Sequence, residues 1–295
     1  MNIGIAGTGR MGSALAARLM SLGHALTVWN RTPEKIKVAV AAGAAVADTP
    51  MDLASRVDVI ITILTNAAAI DAVYYAADGL LAGEVKGKLF IEMSTVRPET
   101  ERALAGWVAK KQAQLVECPV GGTVGPAKEG KLLGLVGADP LALDRARPLL
   151  EQMCRRFEHV GPVGAGAAMK LAINLPLIVF WQAFGEAVSL VKPLGIDPAR
   201  LVEIFADTSG AATVLKNRGA AVAKALAGED TGPATFDLDS MRKDLRTMLE
   251  EAQSLGVELP TAARVLDAFD RAAHAGHGGI DGVRIPAWVS GEKKT

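Results

Sequence analysis

Asn2-Ile3-Gly4-Ile5-Ala6-Gly7-Thr8-Gly9-Arg10-Met11-Gly12 is the stretch that decides the architecture. Asn2–Ala6 is a short apolar run of strand length, and Met11–Leu22 is an amphipathic stretch of helix length. Between them lies G-x-G-x-x-G, a weak pattern alone but a specific one at a strand-to-helix junction. Gly7 permits the tight turn, Gly9 lets backbone approach a pyrophosphate, and Gly12 lets helix and strand pack closely. The turn Gly7, Thr8, Gly9, Arg10, Met11 and Gly12 thus presents N–H groups and a helix dipole to phosphate.

The same alternation continues outward from this turn. Apolar runs at Ala25–Trp29, Val57–Leu64, Lys88–Met93, Gln114–Val120, Leu132–Val136 and Arg156–Val160 are interleaved with helical patterns at Pro33–Ala41, Arg97–Lys111 and Pro140–Met153. This predicts an α/β fold, a doubly wound parallel sheet covered on both faces. After Val160 the glycine-rich Gly161–Gly166 breaks the pattern, and the remainder reads as helix. Val163–Leu194 reads as a single helix of about 45 Å at about 1.5 Å per residue. Gly195 caps it, and Pro198–Ala206, Ala211–Ala225, Leu238–Leu255 and Pro260–Ala275 follow. Pro176 falls inside the long helix, where it removes the bond to the Ala172 carbonyl and kinks or splits the element. The expected organisation is a dinucleotide-binding domain at 1–162, an all-α domain at 163–290 and a polar tail at 291–295.

Composition narrows the function. The 295 residues carry 32 basic and 32 acidic groups, so no basic excess exists for nucleic acid or an anionic membrane surface. Half the residues are hydrophobic, which argues against disorder. The N-terminus lacks the basic-then-apolar pattern of a secretory signal. Apolar runs read as too short or too interrupted for a membrane span: Leu171–Phe184 is broken by Asn174, Pro176 and Gln182. Two cysteines make no disulfide framework, which points to a reducing cytoplasm, and Cys118 reads as a buried structural thiol rather than a nucleophile. His24, His159, His274 and His277 show no ligand spacing, so no metal is expected.

The second strand ends at Trp29, followed by Asn30, Arg31 and Thr32. An NAD site usually places a carboxylate here for the ribose 2′-hydroxyl, and none is present at 30–32. A guanidinium suits a 2′-phosphate, so the expected cofactor is NADP(H) in preference to NAD(H). Lys35 reads as a solvated surface charge. Leu64, Thr65 and Asn66 after the third strand, and Thr95 after the fourth, lie at strand ends where such sheets bind ligands. They read as cofactor contacts without titratable chemistry.

Four spaced motifs resemble the β-hydroxyacid dehydrogenases, the family of 3-hydroxyisobutyrate dehydrogenase, tartronate semialdehyde reductase and the glyoxylate/succinic semialdehyde reductases. They are the N-terminal turn, Cys118–Ala127, Gly161–Gly166 with Lys170 and Asn174, and Phe236 through Lys243-Asp244-Leu245. The resemblance covers essentially the whole chain. It implies a Rossmann sheet followed by an all-α domain that begins with a long interdomain helix. It also implies reduction of a small aldehyde acid, or the reverse oxidation, with Lys170 as the catalytic proton donor or acceptor. Lys170 and Asn174 are four residues apart, hence on one helical face. The resemblance assigns Asn174, Gly121, Gly122, Thr123 and Thr95 to substrate binding, and Phe236 and Lys243 to the nicotinamide side. The family's loop reads P-V-S-G-G, whereas this chain has Gly121 at the serine position and Thr123 two residues later. Trp181 and Phe184 line either a pocket or a subunit interface. The resemblance further implies a homodimer or homotetramer assembled through the all-α domain. The rival readings are an imine reductase on the same architecture, opposed by Lys170, and a non-catalytic NADP-binding sensor, which has no use for a proton donor.

Overall fold

The computed structural model describes residues 2–291, so all of the expected tail except Gly291 lies outside the described residues. Strands β1 (Asn2–Ala6), β2 (Ala25–Trp29), β3 (Ala45–Val46), β4 (Val59–Thr62), β5 (Leu89–Glu92), β6 (Gln114–Glu117), β7 (Val120–Gly121), β8 (Leu132–Ala138) and β9 (Cys154–Gly161) form one sheet. Their order is β3-β2-β1-β4-β5-β6-β8-β7, with β9 beside β8. The order 3-2-1-4-5-6 at its start is that of the Rossmann fold. Between the strands run α1 (Arg10–Ser21), α2 (Lys37–Ala41), α3 (Pro50–Arg56), α4 (Ala67–Tyr74), α5 (Pro98–Lys110), α6 (Val124–Glu129) and α7 (Pro140–Met153).

Strand alternation supplies two cores. Ile3, Ile5, Val59, Ile61, Leu89, Ile91 and Val116 pack with Leu15 and Leu19 of α1 and Leu149 and Leu150 of α7. Ile60, Phe90 and Leu115 point the other way, against Leu53 of α3, Ile70 and Tyr74 of α4 and Leu104 of α5. Burial on both faces is why these strands read as unbroken apolar runs. Fully burying each Leu, Ile or Phe contributes about 1.5–3 kcal/mol.

The sheet departs from the expected all-parallel arrangement at β8, which runs antiparallel to β6 and β7 and parallel to β9. Gly121 and Leu132 are joined by a ten-residue link containing α6, shorter than the dozen or more residues a parallel crossover needs. The run expected at Gln114–Val120 is divided into β6 and β7 at Cys118-Pro119, yet both pieces pair with β8 in one register. There the Cys118 N–H donates to the Glu92 carbonyl at 2.6 Å, while the Pro119 carbonyl accepts from Leu135 N–H at 3.0 Å. Elements β3, α3, α4 and α6 carry too little periodicity to read from sequence. Pro33–Ala41 is a 3₁₀ turn over Pro33–Ile36 continuing into α2.

The long helix is α8 (Ala165–Val191), extended by a 3₁₀ turn at Lys192–Leu194. It passes through Pro176 as one element. By length and mean hydropathy (1.5) Ala165–Leu194 is long and apolar enough to cross a membrane, which corrects the expectation that no run is. Its apolar side chains have a protein partner: Ile178, Trp181, Phe184 and Val188 are buried. Phe184 meets Phe205 edge-on at 5.1 Å. Trp181 and Phe184 are therefore core residues, 2% and 3% exposed. The chain divides into two compact units within α8, after Leu171. The second unit continues with α9 (Pro198–Ala206), α10 (Thr213–Leu226), α11 (Leu238–Leu255), α12 (Pro260–Ala272) and α13 (Ile285–Val289). The helix expected to reach Ala275 stops at Ala272; a π-turn follows, with Gly276 at φ +91°.

Candidate active site

The turn between β1 and α1 shows why each glycine stands where it does. Gly7 adopts φ +100°, and a Cβ there would lie 2.4 Å from the Ile63 carbonyl oxygen. A Cβ on Gly12 would lie 1.9 Å from the Gly7 carbonyl oxygen, so helix and turn touch through backbone. Gly9 differs: φ is −66°, and nothing lies within 4 Å of its would-be Cβ. Two glycines thus answer to the protein and the third to open space at a helix N-terminus, the cradle that a pyrophosphate fits.

The turn is tied to the end of β2. Thr8 N–H donates to Asn30 Oδ1 at 3.0 Å, and Asn30 Nδ2 donates to the Thr32 carbonyl at 3.0 Å. Asn30 therefore holds the turn with both ends of its amide. Thr8 is buried, and Ser13 Oγ donates to its carbonyl at 2.9 Å. Arg10, Arg31, Thr32 and Lys35 are exposed, and Met11 is half-buried.

At the ends of the neighbouring strands Leu64 N–H donates to Ser94 Oγ at 2.7 Å. Ser94 in turn donates its hydroxyl and, at 2.8 Å, its N–H to the Glu92 carboxyl. Thr65 is exposed and Thr95 half-buried. Beneath these residues lie Glu92, Glu101 and Glu117, buried carboxyls that the sequence reading did not single out. Burial raises the pKa of Glu92 and Glu101, and the neighbouring Glu92 charge pushes Glu101 further up. The signal was present: β5 and β6 both end in glutamate, and Glu92 pairs with Glu117 in register.

The Cys118–Ala127 segment places Gly121 half-buried, Gly122 exposed at φ +129°, and Thr123 at the N-cap of α6 without a side-chain cap bond. A Cβ on Gly122 would strike Leu132 Cδ2 at 2.7 Å, whereas one on Gly121 would meet only Leu133 at 3.6 Å. Packing demands glycine at 122 and leaves room for a side chain at 121. Cys118 is fully buried; its neighbour Cys154 and burial push its thiol well up, so it is no nucleophile. Gly134 lies between the two thiols: its Cβ would be 2.9 Å from Cys118 Sγ and 3.2 Å from Cys154 Sγ.

Lys170 and Asn174 lie one turn apart on α8, the first half-buried and the second 5% exposed. Asn174 Nδ2 donates to Asp244 Oδ2 at 2.9 Å, and Lys243 Nζ meets Asp244 Oδ1 at 2.5 Å. The second unit thus gathers Asn174, Lys243 and the buried Asp244, which fixes the plane of the amide. Phe236 is half-buried on a segment anchored by Asp281. That carboxylate accepts from Thr235 N–H at 2.6 Å, Phe236 N–H at 3.4 Å, Val283 N–H at 3.0 Å and Arg218 Nη1 at 2.9 Å. Burial opposes its charge, but these donors win and hold its pKa below the usual value.

The chain is similar to known proteins along nearly its whole length. Residues 2–161 match the NAD binding domain of 6-phosphogluconate dehydrogenase, and 164–287 match the NAD-binding domain of NADP-dependent 3-hydroxyisobutyrate dehydrogenase. The chain is 34% identical over 284 residues to 3-hydroxyisobutyrate dehydrogenase of Pseudomonas aeruginosa, covering 95% of each chain. It is 31% identical to glyoxylate/succinic semialdehyde reductase 1 of Arabidopsis thaliana, covering 95% of this chain and 96% of the other. The solved structure of Psf3 in complex with NADP+ and 2-OPP matches with a TM-score of 0.86 at 27% identity, over 97% of this chain and 99% of that one.

Proposed function

The chain belongs to the β-hydroxyacid dehydrogenase family, and from that premise we propose that it is an NADPH-dependent oxidoreductase interconverting a small semialdehyde acid and its hydroxy acid. The observation that carries this reading is a buried asparagine on an apolar helix, one turn from Lys170, with its amide held by Asp244. Burying such an amide costs free energy unless it is bonded, and a helix needing only packing has no use for it.

NADPH supplies the hydride. Gly7, Thr8, Gly9, Arg10, Met11 and Gly12 bind the pyrophosphate through N–H groups and the α1 dipole. Arg31, with no carboxylate at 30–32, pairs with the 2′-phosphate, and Thr32 lends a hydroxyl. Asn30 contributes by holding the turn. Leu64, Thr65 and Thr95 flank the cofactor at the strand ends, Thr95 reaching the substrate side as well. Phe236 and Lys243 serve the nicotinamide side. The Gly121 and Gly122 N–H groups and the Thr123 hydroxyl hold the substrate carboxylate. In reduction the Lys170 ammonium donates its proton to the developing alkoxide; in oxidation the neutral amine takes the hydroxyl proton. Asn174 holds the same oxygen. Cells keep NADP largely reduced, which favours reduction.

The working form is a homodimer or homotetramer through the second unit, whose surface exposes Leu190 (83%) and Leu194 (68%). The free thiols of Cys118 and Cys154 suit the cytoplasm. An NADPH-consumption screen over glyoxylate and succinic, methylmalonate and tartronate semialdehydes, with cyclic imines as the counter-class, tests the reading. Lys170→Ala abolishes turnover and leaves NADPH binding intact; normal turnover in that variant refutes the assignment.

A further inference from the structure

Glu117 ends β6 and is fully buried. Its Oε1 accepts N–H bonds from Gly164 at 2.8 Å, Gly166 at 2.6 Å and Ala167 at 3.4 Å. These residues form the turn into α8 and its first turn, where N–H groups have no partner within the helix. The slot is built for this group. A Cβ on Gly137 would lie 2.0 Å from Glu117 Oε1, and one on Gly166 would lie 3.0 Å from it and 2.4 Å from the Leu135 carbonyl oxygen. Gly164 adopts φ +100°. Gly137 of β8 and Gly166 of α8 thus clear room for one carboxyl at the start of the helix. Lys170 follows three residues after Ala167 on the same helix, so the register of this turn aims its side chain.

We propose that Glu117 is a positioning residue for Lys170: its carboxylate anchors the first turn of α8 and offsets the helix dipole at the lysine ammonium. This rests on the reading of Lys170 as the proton donor. A helix N-terminus carries partial positive charge, which favours the neutral amine; a carboxylate at the same end favours the ammonium the reduction requires. The groups beside Glu117 are the Glu92 and Glu101 carboxyls, held toward their neutral forms by burial, and the Cys118 thiol, held neutral by its bond to Cys154 and by burial; the exposed Arg102 guanidinium lies against Gly164 at the same turn. Burial pushes Glu117 itself up to about 7 against the pull of its three N–H donors.

The test is an NMR titration of apo protein with ¹³C-methylated lysines, the Lys170 signal being assigned by its loss in Lys170→Ala. In Glu117→Gln, which keeps an acceptor oxygen and loses the charge, Lys170 titrates at lower pH than in wild type. With the best substrate from the NADPH screen, kcat falls about tenfold while KM for NADPH stays within about twofold. A folded Glu117→Gln whose Lys170 titration is unshifted overturns the proposal. If that variant does not fold, wild type decides: its Lys170 signal shows a second inflection near the Glu117 titration, and a single inflection overturns the coupling. The titration needs no substrate. A wild type inert on the whole panel therefore defeats the catalytic reading of Lys170 while the coupling is still decided.

Discussion

Gly9→Ala separates cofactor binding from folding. Its backbone, at φ −66° and ψ −167°, suits any L residue, and an added Cβ has no neighbour within 4 Å. Two small effects act on stability. Losing unfolded-state freedom stabilises by about 0.4–1 kcal/mol. Alanine is a poorer N-cap than glycine and costs an offsetting amount of roughly 0.5–1 kcal/mol. The net is within about 0.5 kcal/mol, below easy detection by urea denaturation. The methyl group instead occupies the approach proposed for the pyrophosphate. Displacing one charge-assisted N–H···phosphate bond loses about 1.5–3 kcal/mol, which raises Kd roughly 10- to 150-fold. NADPH and NADH suffer alike, because both carry the pyrophosphate. Gly12→Ala is the contrast: its Cβ would sit 1.9 Å from the Gly7 carbonyl oxygen, so it lowers stability by about 1–3 kcal/mol or more before any ligand is added. Fluorescence titration of NADPH beside urea melts reads both quantities. A folded Gly9→Ala protein that binds NADPH with wild-type affinity refutes the placement of the phosphate.

In the proposed site Arg31→Asp acts on the 2′-phosphate alone, so the NADPH-to-NADH ratio of kcat/KM falls about tenfold or more; an unchanged ratio refutes the role of Arg31. Asp281→Asn leaves the Arg218 charge without its partner and sets an amide against donor groups, costing about 3 kcal/mol in urea denaturation. Because the Asp281 pKa is lowered by folding, its contribution is present above about pH 4 and is lost as pH falls through its folded value; a wild-type minus Asp281→Asn difference independent of pH below about 4 counts against this. Glu117 works the other way. Its folded pKa is raised from 4.5 to about 7, so the folded state binds the extra proton and stability falls as pH rises through that window, flattening above it. The wild-type minus Glu117→Gln difference should follow that fall, and a difference rising across the same window would contradict it.

Strands and helices that bury one continuous face are legible because periodicity records burial: β1, β2 and α7 fall where the sequence places them. Elements such as α3, α4 and α6 are too short for a period to emerge, and end at caps like Thr49 and Asn66 that also suit turns. The break at Cys118-Pro119 is invisible because both flanks stay apolar and in register. Among site residues, the glycine turn announces itself by spacing. Asn30 does not: only the folded chain shows its amide spent on Thr8 and Thr32. Asp244 looks like one more helical charge until Asn174 and Lys243 meet on it.

The sequence by itself determined the fold class, the glycine turn and the family, because each is written in local spacing: glycines at a strand-to-helix junction, apolar runs of strand length, and four motifs in order. Tertiary structure alone decided that β8 reverses direction and that the Asn30 amide ties the glycine turn to the end of β2. It also brought Glu117 to the start of α8, 47 residues from Gly164 along the chain but 2.8 Å away in space. A buried carboxyl finds its donors through three dimensions, and no local pattern records a partner that distant in sequence.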